Sequence, residues 1–328
     1  MAPTAKIATP LTALLGIEHP IMLAGMDQVA GSELAAAVTN AGGIGTLGGA
    51  RYTPAMLREM IADMKARLAD KDAPFGVDLL VPQVGGSARK TNYDYTKGHL
   101  EELLDIVIES KAKLFVSAVG VPPAWAVEKL HKAGVLYMVI PSILTPACAD
   151  IVKQYKSPLT GNPVLLVTGG GVNDGRSLAS ALMLGASGVW VGTRFTASVE
   201  SKFPESAKKE VINANYNSWV RSLIWSGRPL RALRSPYIDD WESRRQDEIK
   251  DLTSRGLVPL EHELDKLHRE GKLTDEIEEQ AAMRPIGIVA GSINKPGQTA
   301  AEIVDEMVKE AAQLLGAAST YLTPNSKL

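Results

Sequence analysis

Short apolar runs rich in β-forming residues alternate along the chain with segments whose apolar side chains recur every three or four positions. That alternation predicts parallel strands joined by crossover helices. The first run is 20–26, followed by a helix from about Ser32 with Leu34, Ala37, Val38 and Ala41 on one face and a stop at Gly42-Gly43. Residues 44–47 read as the second strand. Thr53-Pro54 then supplies an N-cap and a first-turn proline for a helix carrying Leu57, Met60, Ile61, Met64 and Leu68. Strands are expected again at 75–80, 113–119, 135–140, 163–168 and 188–193. Helices fall between them through Leu103 and Val107, through Trp125 and Leu130, over 146–155, and over 173–184. A long polar loop at 82–96 follows the third strand. The fold class implied is α/β, a TIM-type barrel left incomplete, because seven strands are recognisable where such a barrel has eight.

Beyond Thr193 the rhythm is lost. Residues 199–283 are charge-rich and hold no convincing strand, so they are expected to form a helical insert or lid. The barrel then comprises 1–198 and 284–316, with an exposed tail at 317–328. The last helix is marked by the capping box Thr299-Ala300-Ala301-Glu302, a buried stripe of Ile303, Met307, Ala311 and Leu314, and an end at Gly316.

Composition narrows the setting. Of 328 residues, 45% are hydrophobic and 22% charged, enough to bury a large core, and the formal net charge of -2 gives no bulk pull toward nucleic acid or membrane. A single cysteine, Cys148, excludes a disulfide framework. No apolar run reaches the length of a membrane span, and the first residues lack a secretory pattern. The chain ends in Ser326-Lys327-Leu328, the tripeptide read by the peroxisomal import receptor, so a peroxisomal location is expected, or a cytoplasmic one if the signal is not read.

The candidate chemistry gathers at strand ends. Gly169-Gly170-Gly171-Val172-Asn173-Asp174 follows the sixth strand and Gly192-Thr193-Arg194 the seventh. Glycines let backbone approach a ligand, free N–H groups attract phosphate, and barrels hold phosphate at the loops after their last two strands. Ala24-Gly25-Met26 ends the first strand and leaves room for a flat ring system. Asp78 is an acid within an apolar strand and needs a partner, either a ligand N–H or a structural backbone donor. Ser117 raises the same question.

These segments carry a resemblance. Residues 20–26, Gly76-Val77-Asp78-Leu79-Leu80, Pro82-Gln83-Val84-Gly85-Gly86, Gly169-Gly170-Gly171-Val172 and Val191-Gly192-Thr193-Arg194-Phe195 resemble the nitronate monooxygenase family, and residues 157–163 resemble its fungal branch. The resemblance implies a barrel holding FMN non-covalently and oxidation of anionic alkyl nitronates with O2 to a carbonyl compound and nitrite. It implies that Ala24, Gly25, Met26 and Asp78 line the flavin and that Gly170, Gly171, Gly192 and Thr193 hold its phosphate. No metal is implied.

One departure matters. In the family, a helix and a sixth strand follow the fifth, and a glycine-rich motif there bears the histidine proposed as base. Here Ile140 passes directly to 141–148, so about one βα repeat, roughly 30 residues, is missing. One expected consequence is that the strands flanking the missing one either pair across the gap or stay apart with an open edge. Loss of the histidine is the other. His19 precedes the first strand, His131 lies in a helix, and His262 and His268 lie in the insert; His99 alone starts a helix on the active face. Arg89, Lys90, Tyr93 and Tyr95 in the polar loop offer cations and phenols to an anionic substrate. No catalytic residue is identified. The expected function is thus an impaired nitronate oxidoreductase, with an FMN-dependent enoyl reductase, a catalytically inactive flavin-binding scaffold and a mis-spliced product as alternatives.

Overall fold

A computed structural model describes residues 6–81, 90, 94–120, 122–139, 145–318 and 320. In chain order the barrel contains α1 (Pro10–Leu15), β1 (Ile21–Leu23), α2 (Ser32–Asn40), β2 (Gly45–Gly48), α3 (Pro54–Arg67), β3 (Phe75–Val81), α4 (Leu100–Glu109), β4 (Leu114–Val119), α5 (Ala124–Lys132), β5 (Leu136–Val139), α6 (Thr145–Val152), β6 (Val167–Gly169), α7 (Gly175–Met183), β7 (Gly188–Val191) and α8 (Thr193–Thr196). Every pairing among β1–β7 is parallel. β6, β7 and β1 form one ladder and β2, β3, β4 and β5 another. A parallel bridge between Met22 and Ile44 joins the two into a single arc. Among the described residues no ladder closes β5 onto β6. The chain is therefore an incomplete TIM-type barrel, open where the eighth strand is lacking.

Local chemistry explains the elements that frame the site. Thr53 accepts from the Met56 N–H at the start of α3, and Leu57, Ile61 and Met64 then face inward at helical spacing. The strands present alternate residues to two cores. Val77, Leu79, Phe115 and Val189 face the helices, whereas Met22, Ala24, Ile44, Leu114, Val116 and Trp190 fill the barrel interior. Leu11 and Leu15 of α1 join this inner cluster. A Cβ on Gly188, at the start of β7, would lie 2.4 Å from Leu11, so α1 plugs the amino end of the barrel.

The remainder contains α9 (Glu205–Ile212), β8 (Trp219–Ser222), β9 (Leu230–Leu233), α10 (Pro236–Arg244), α11 (Gln246–Ser254), α12 (Pro259–Arg269), α13 (Asp275–Ala281), a short 3-10 turn and α14 (Ala300–Ala318). The expectation of no strand in the insert is corrected: β8 and β9 pair as an antiparallel hairpin with Arg221 opposite Arg231. They pack Val220 and Ala232 into a separate core with Ile224, Trp225, Ile238, Trp241, Ile249 and Leu252. The capping box of α14 forms, with the Glu302 carboxylate accepting from the Thr299 N–H at 2.8 Å and the Thr299 hydroxyl accepting from the Glu302 N–H at 3.2 Å. Its end is also corrected. The helix runs through Gly316 to Ala318, and Leu314 is exposed while Leu315 packs on the core. Among the described residues no helix is long and apolar enough to cross a membrane.

Candidate active site at the carboxyl ends of the strands

The segment Ala24-Gly25-Met26 leaves β1 at the mouth of the arc and packs against the ends of β2, β3 and β7. A Cβ on Gly25 would fall 2.3–2.6 Å from side-chain atoms of Asp78, so only glycine fits between β1 and that acid. A Cβ on Gly48 would lie within 2.4–2.8 Å of the Met26 backbone, and one on Gly192 3.5 Å from both the Ala24 Cβ and the Met26 Sδ. Four of the expected ring-lining positions and one phosphate position therefore form one contiguous layer.

Asp78 sits on β3 opposite Gly48 and Val116 and is 3% exposed. Neither carboxyl oxygen has a hydrogen-bond partner among the described residues. Burial alone drives this carboxyl well above the ordinary range and favours its protonated form. The structural-acid alternative needed a backbone donor, and none is found; the Asp78 main chain is used separately, its carbonyl accepting from the Gly49 N–H at 2.8 Å. Ser117, in contrast, is satisfied: its hydroxyl donates to the Gly120 carbonyl.

β6 lies beside β7 with Gly169 opposite Trp190, which sets the turn at Gly170-Gly171 next to the one at Gly192-Thr193. Gly170 and Gly171 have φ of +87° and +79°, a left-handed region that favours glycine, and nothing lies within 4 Å of the Cβ position of either. The space in front of that turn is open. Thr193 has a second duty. Its hydroxyl accepts from the Gly287 N–H at 2.8 Å, tying the returning chain to the turn. Arg194 points away, buried between Gln298 at 2.7 Å and Glu306 at 3.4 Å, where it borders a polar cleft of about 250 Å³ against α7 and α14.

The loops after β1 and β2 add residues that sequence reasoning missed. Asp27 is half-buried, and burial raises its carboxyl although Arg51 opposes the shift. Tyr52 is also half-buried; burial, then the charge of Asp27, raises its phenol. A Cβ on Gly49 would lie 3.4 Å from the Tyr52 ring. Gln28 and Arg51 take φ of +59° and +61°, strained values for residues with a side chain. The insert reaches this rim: Arg51 is 3.9 Å from Glu261 of α12, and a Cβ on Gly256 would be 3.0 Å from the Lys90 carbonyl.

No described histidine stands at the mouth as a base. His19 is buried at the amino end, its main-chain N–H donating to the Gly42 carbonyl. His99 is exposed and lies 3.4 Å from Glu102 on its own helix. Residues 82–89, with Arg89, and Tyr93 lie outside the described residues, as does the 326–328 tripeptide.

The family profile described as nitronate monooxygenase matches residues 8–153 and 143–310. The chain belongs to the nitronate monooxygenase family. It is an enzyme of that flavin-dependent oxidoreductase family. The two matches overlap at 143–153, within and just beyond α6, which is the element that follows β5 among the described residues. A Mycobacterium tuberculosis relative, named (3aS,4S,5R,7aS)-5-hydroxy-7a-methyl-1-oxo-octahydro-1H-indene-4-carboxyl-CoA dehydrogenase, is 31% identical over 257 residues, covering 73% of this chain and 69% of that protein. A Staphylococcus saprophyticus protein named probable nitronate monooxygenase is 25% identical over 301 positions that draw on 75% of this chain and 84% of that protein. Three quarters of 328 residues is fewer than 301, so that nitronate monooxygenase relative carries residues with no counterpart here. The solved structure of FabK from Thermotoga maritima matches with a TM-score of 0.69 at 26% identity, over 96% of this chain and all of that one.

Proposed function

We propose that this member of the nitronate monooxygenase family binds FMN and oxidises alkyl nitronates with O2 to carbonyl compounds and nitrite. The observation that carries the reading is the pair of turns at Gly170-Gly171 and Gly192-Thr193, adjacent on neighbouring strands, with open space before the first. A phosphate held there would leave the rest of a flavin to lie along the layer of Ala24, Gly25 and Met26. The partnerless, buried Asp78 supports the fit, since a ring N–H supplies the donor its carboxyl lacks. When bound, the flavin supplies the redox chemistry. The chain's residues hold its phosphate, orient its ring and keep water from Asp78. A nitronate enters already deprotonated, so this reaction does not call on the lost histidine.

The test is an FMN titration of the purified chain followed by O2 uptake with propyl nitronate. Expected are a yellow protein, saturable quenching of flavin fluorescence, and nitrite in step with O2. Protein that takes up no FMN overturns the reading. Enoyl reduction is the second reading. It is favoured by the relative named as a dehydrogenase, which shows that family membership accommodates other redox activities. NAD(P)H consumption without O2 uptake selects it, and bound flavin with no turnover selects an inactive scaffold. We further propose that the 326–328 tripeptide directs the chain to peroxisomes; a fluorescent fusion that stays diffuse in the cytoplasm refutes this.

A further inference from the structure

We propose that Asp27 is the general base for neutral nitroalkanes in this chain, taking the α-proton that no histidine at the mouth is placed to take. The inference rests on the nitronate reading and extends its substrate class to the protonated form. Two geometric observations carry it, and the electrostatics of the neighbouring loop agree with them. Asp27 stands directly after Met26, whose Sδ contacts the Gly192 position and whose backbone packs on Gly48, so it sits at the rim of the ring-lining layer. The residue after it, Gln28, and Arg51 of the loop after β2 are strained, two of four non-glycine residues with positive φ among the described residues, and such outliers are retained where function demands them. Tyr52 and Arg51, both from the loop after β2, interact electrostatically with it.

The step is a proton transfer and balances without a further reagent. The Cα–H bond of the nitroalkane breaks, its electron pair forms the C=N bond of the nitronate, the negative charge moves to the nitro oxygens, and the proton adds to an Asp27 carboxylate oxygen. Arg51 is the cation at hand for the new anion, and Glu261 of the insert lies 3.9 Å behind it. The charged and titratable groups that act on Asp27 are thus Arg51 and Tyr52, both from the loop after β2. A carboxyl raised by burial is a stronger base than an exposed one once ionised, which suits the task.

The test reads proton abstraction apart from oxidation. FMN-saturated, full-length protein is mixed anaerobically with nitroethane in D2O, and loss of the α-proton signal is followed by NMR as a function of pH. The wild type is expected to accelerate exchange over buffer, with a rate that climbs with pH as the carboxyl ionises and then levels. Asp27→Asn is expected to lower the accelerated exchange by about 100-fold or more, the usual scale of general-base catalysis, and Asp27→Glu to restore part of it. Arg51→Ala removes the cation that stabilises the ionised carboxylate, so the midpoint of the pH profile moves up. Exchange in Asp27→Asn at the wild-type rate, or no acceleration by a wild type that oxidises propyl nitronate, overturns the proposal. If Asp27→Asn does not fold, an Arg51→Ala profile with an unmoved midpoint overturns it. Exchange that depends on Asp27 in a protein that does not oxidise nitronate supports the base while sinking the nitronate reading, so the two failures are told apart.

Discussion

The two flanks of the barrel differ sharply. On the closed flank every residue of β1, β2 and β7 is buried, and Gly45 packs so tightly on α2 that a Cβ would fall 1.8 Å from the Ala35 carbonyl oxygen. On the open flank all three residues of β6 are partly exposed, and α6 buries no side chain. Ile151, Tyr155 and Met183, 56%, 61% and 70% exposed, show apolar surface to solvent nearby. The lesson concerns which functions share a scaffold. The positions proposed to line a flavin ring and hold its phosphate hang on the run β6–β7–β1–β2–β3. The missing repeat therefore removes the family's base and a piece of wall without disturbing the cradle.

The contrast gives graded tests. The largest effect is expected for Gly45→Ala, whose methyl must displace backbone; a loss of about 3 kcal/mol or more, or failure to fold, should appear in urea denaturation. Leu57→Ala, a cavity on the closed flank, is expected to cost about 2–5 kcal/mol, whereas Val167→Ala on β6 should cost less than about 1 kcal/mol, because a half-exposed site loses little burial. Equal losses at these two positions would erase the distinction between the flanks.

Asp78 predicts a pH effect with a definite sign. Its folded carboxyl is raised, so between the ordinary carboxylate range and the folded value the native state binds more protons than the unfolded one. Stability contributed by the proton is complete at low pH and is lost as pH rises through that window. Denaturation of the FMN-free wild type from pH 4 upward should show the decline, Asp78→Asn should lack it, and added FMN should reduce it. The smallest effect belongs to α6: Ile151→Ser is expected to change stability by no more than about 0.5 kcal/mol while lowering aggregation, as read by light scattering.

Much of this was legible in the sequence because periodicity and glycine spacing are local. The count of seven strands followed from the β–α alternation, the place of the missing unit from the family resemblance, and the adjacency of Gly170-Gly171 to Gly192-Thr193 from the strand order. The insert's hairpin did not. Each strand has only four residues, and Arg221 and Arg231 in their middles dilute an alternation already too short to distinguish from a charged turn. Gly316 reads as a helix stop in the sequence, yet it has no positive φ, and Ala317 and Ala318 favour continuation of α14. Asp27 is hard to find for a different reason: the charge of Arg51 that acts on it comes from a loop some 24 residues further on.

The hydrogen bond from the Gly287 amide to the Thr193 hydroxyl links the proposed phosphate turn to segment 284–293, where the polypeptide re-enters the barrel after its long excursion and buries Ile286, Ala290 and Ile293 in the core. Any ligand that stiffens this turn tightens the hinge from which the excursion hangs. Occupancy of the mouth should accordingly be readable at a distance, as slower protease cleavage around the re-entry point.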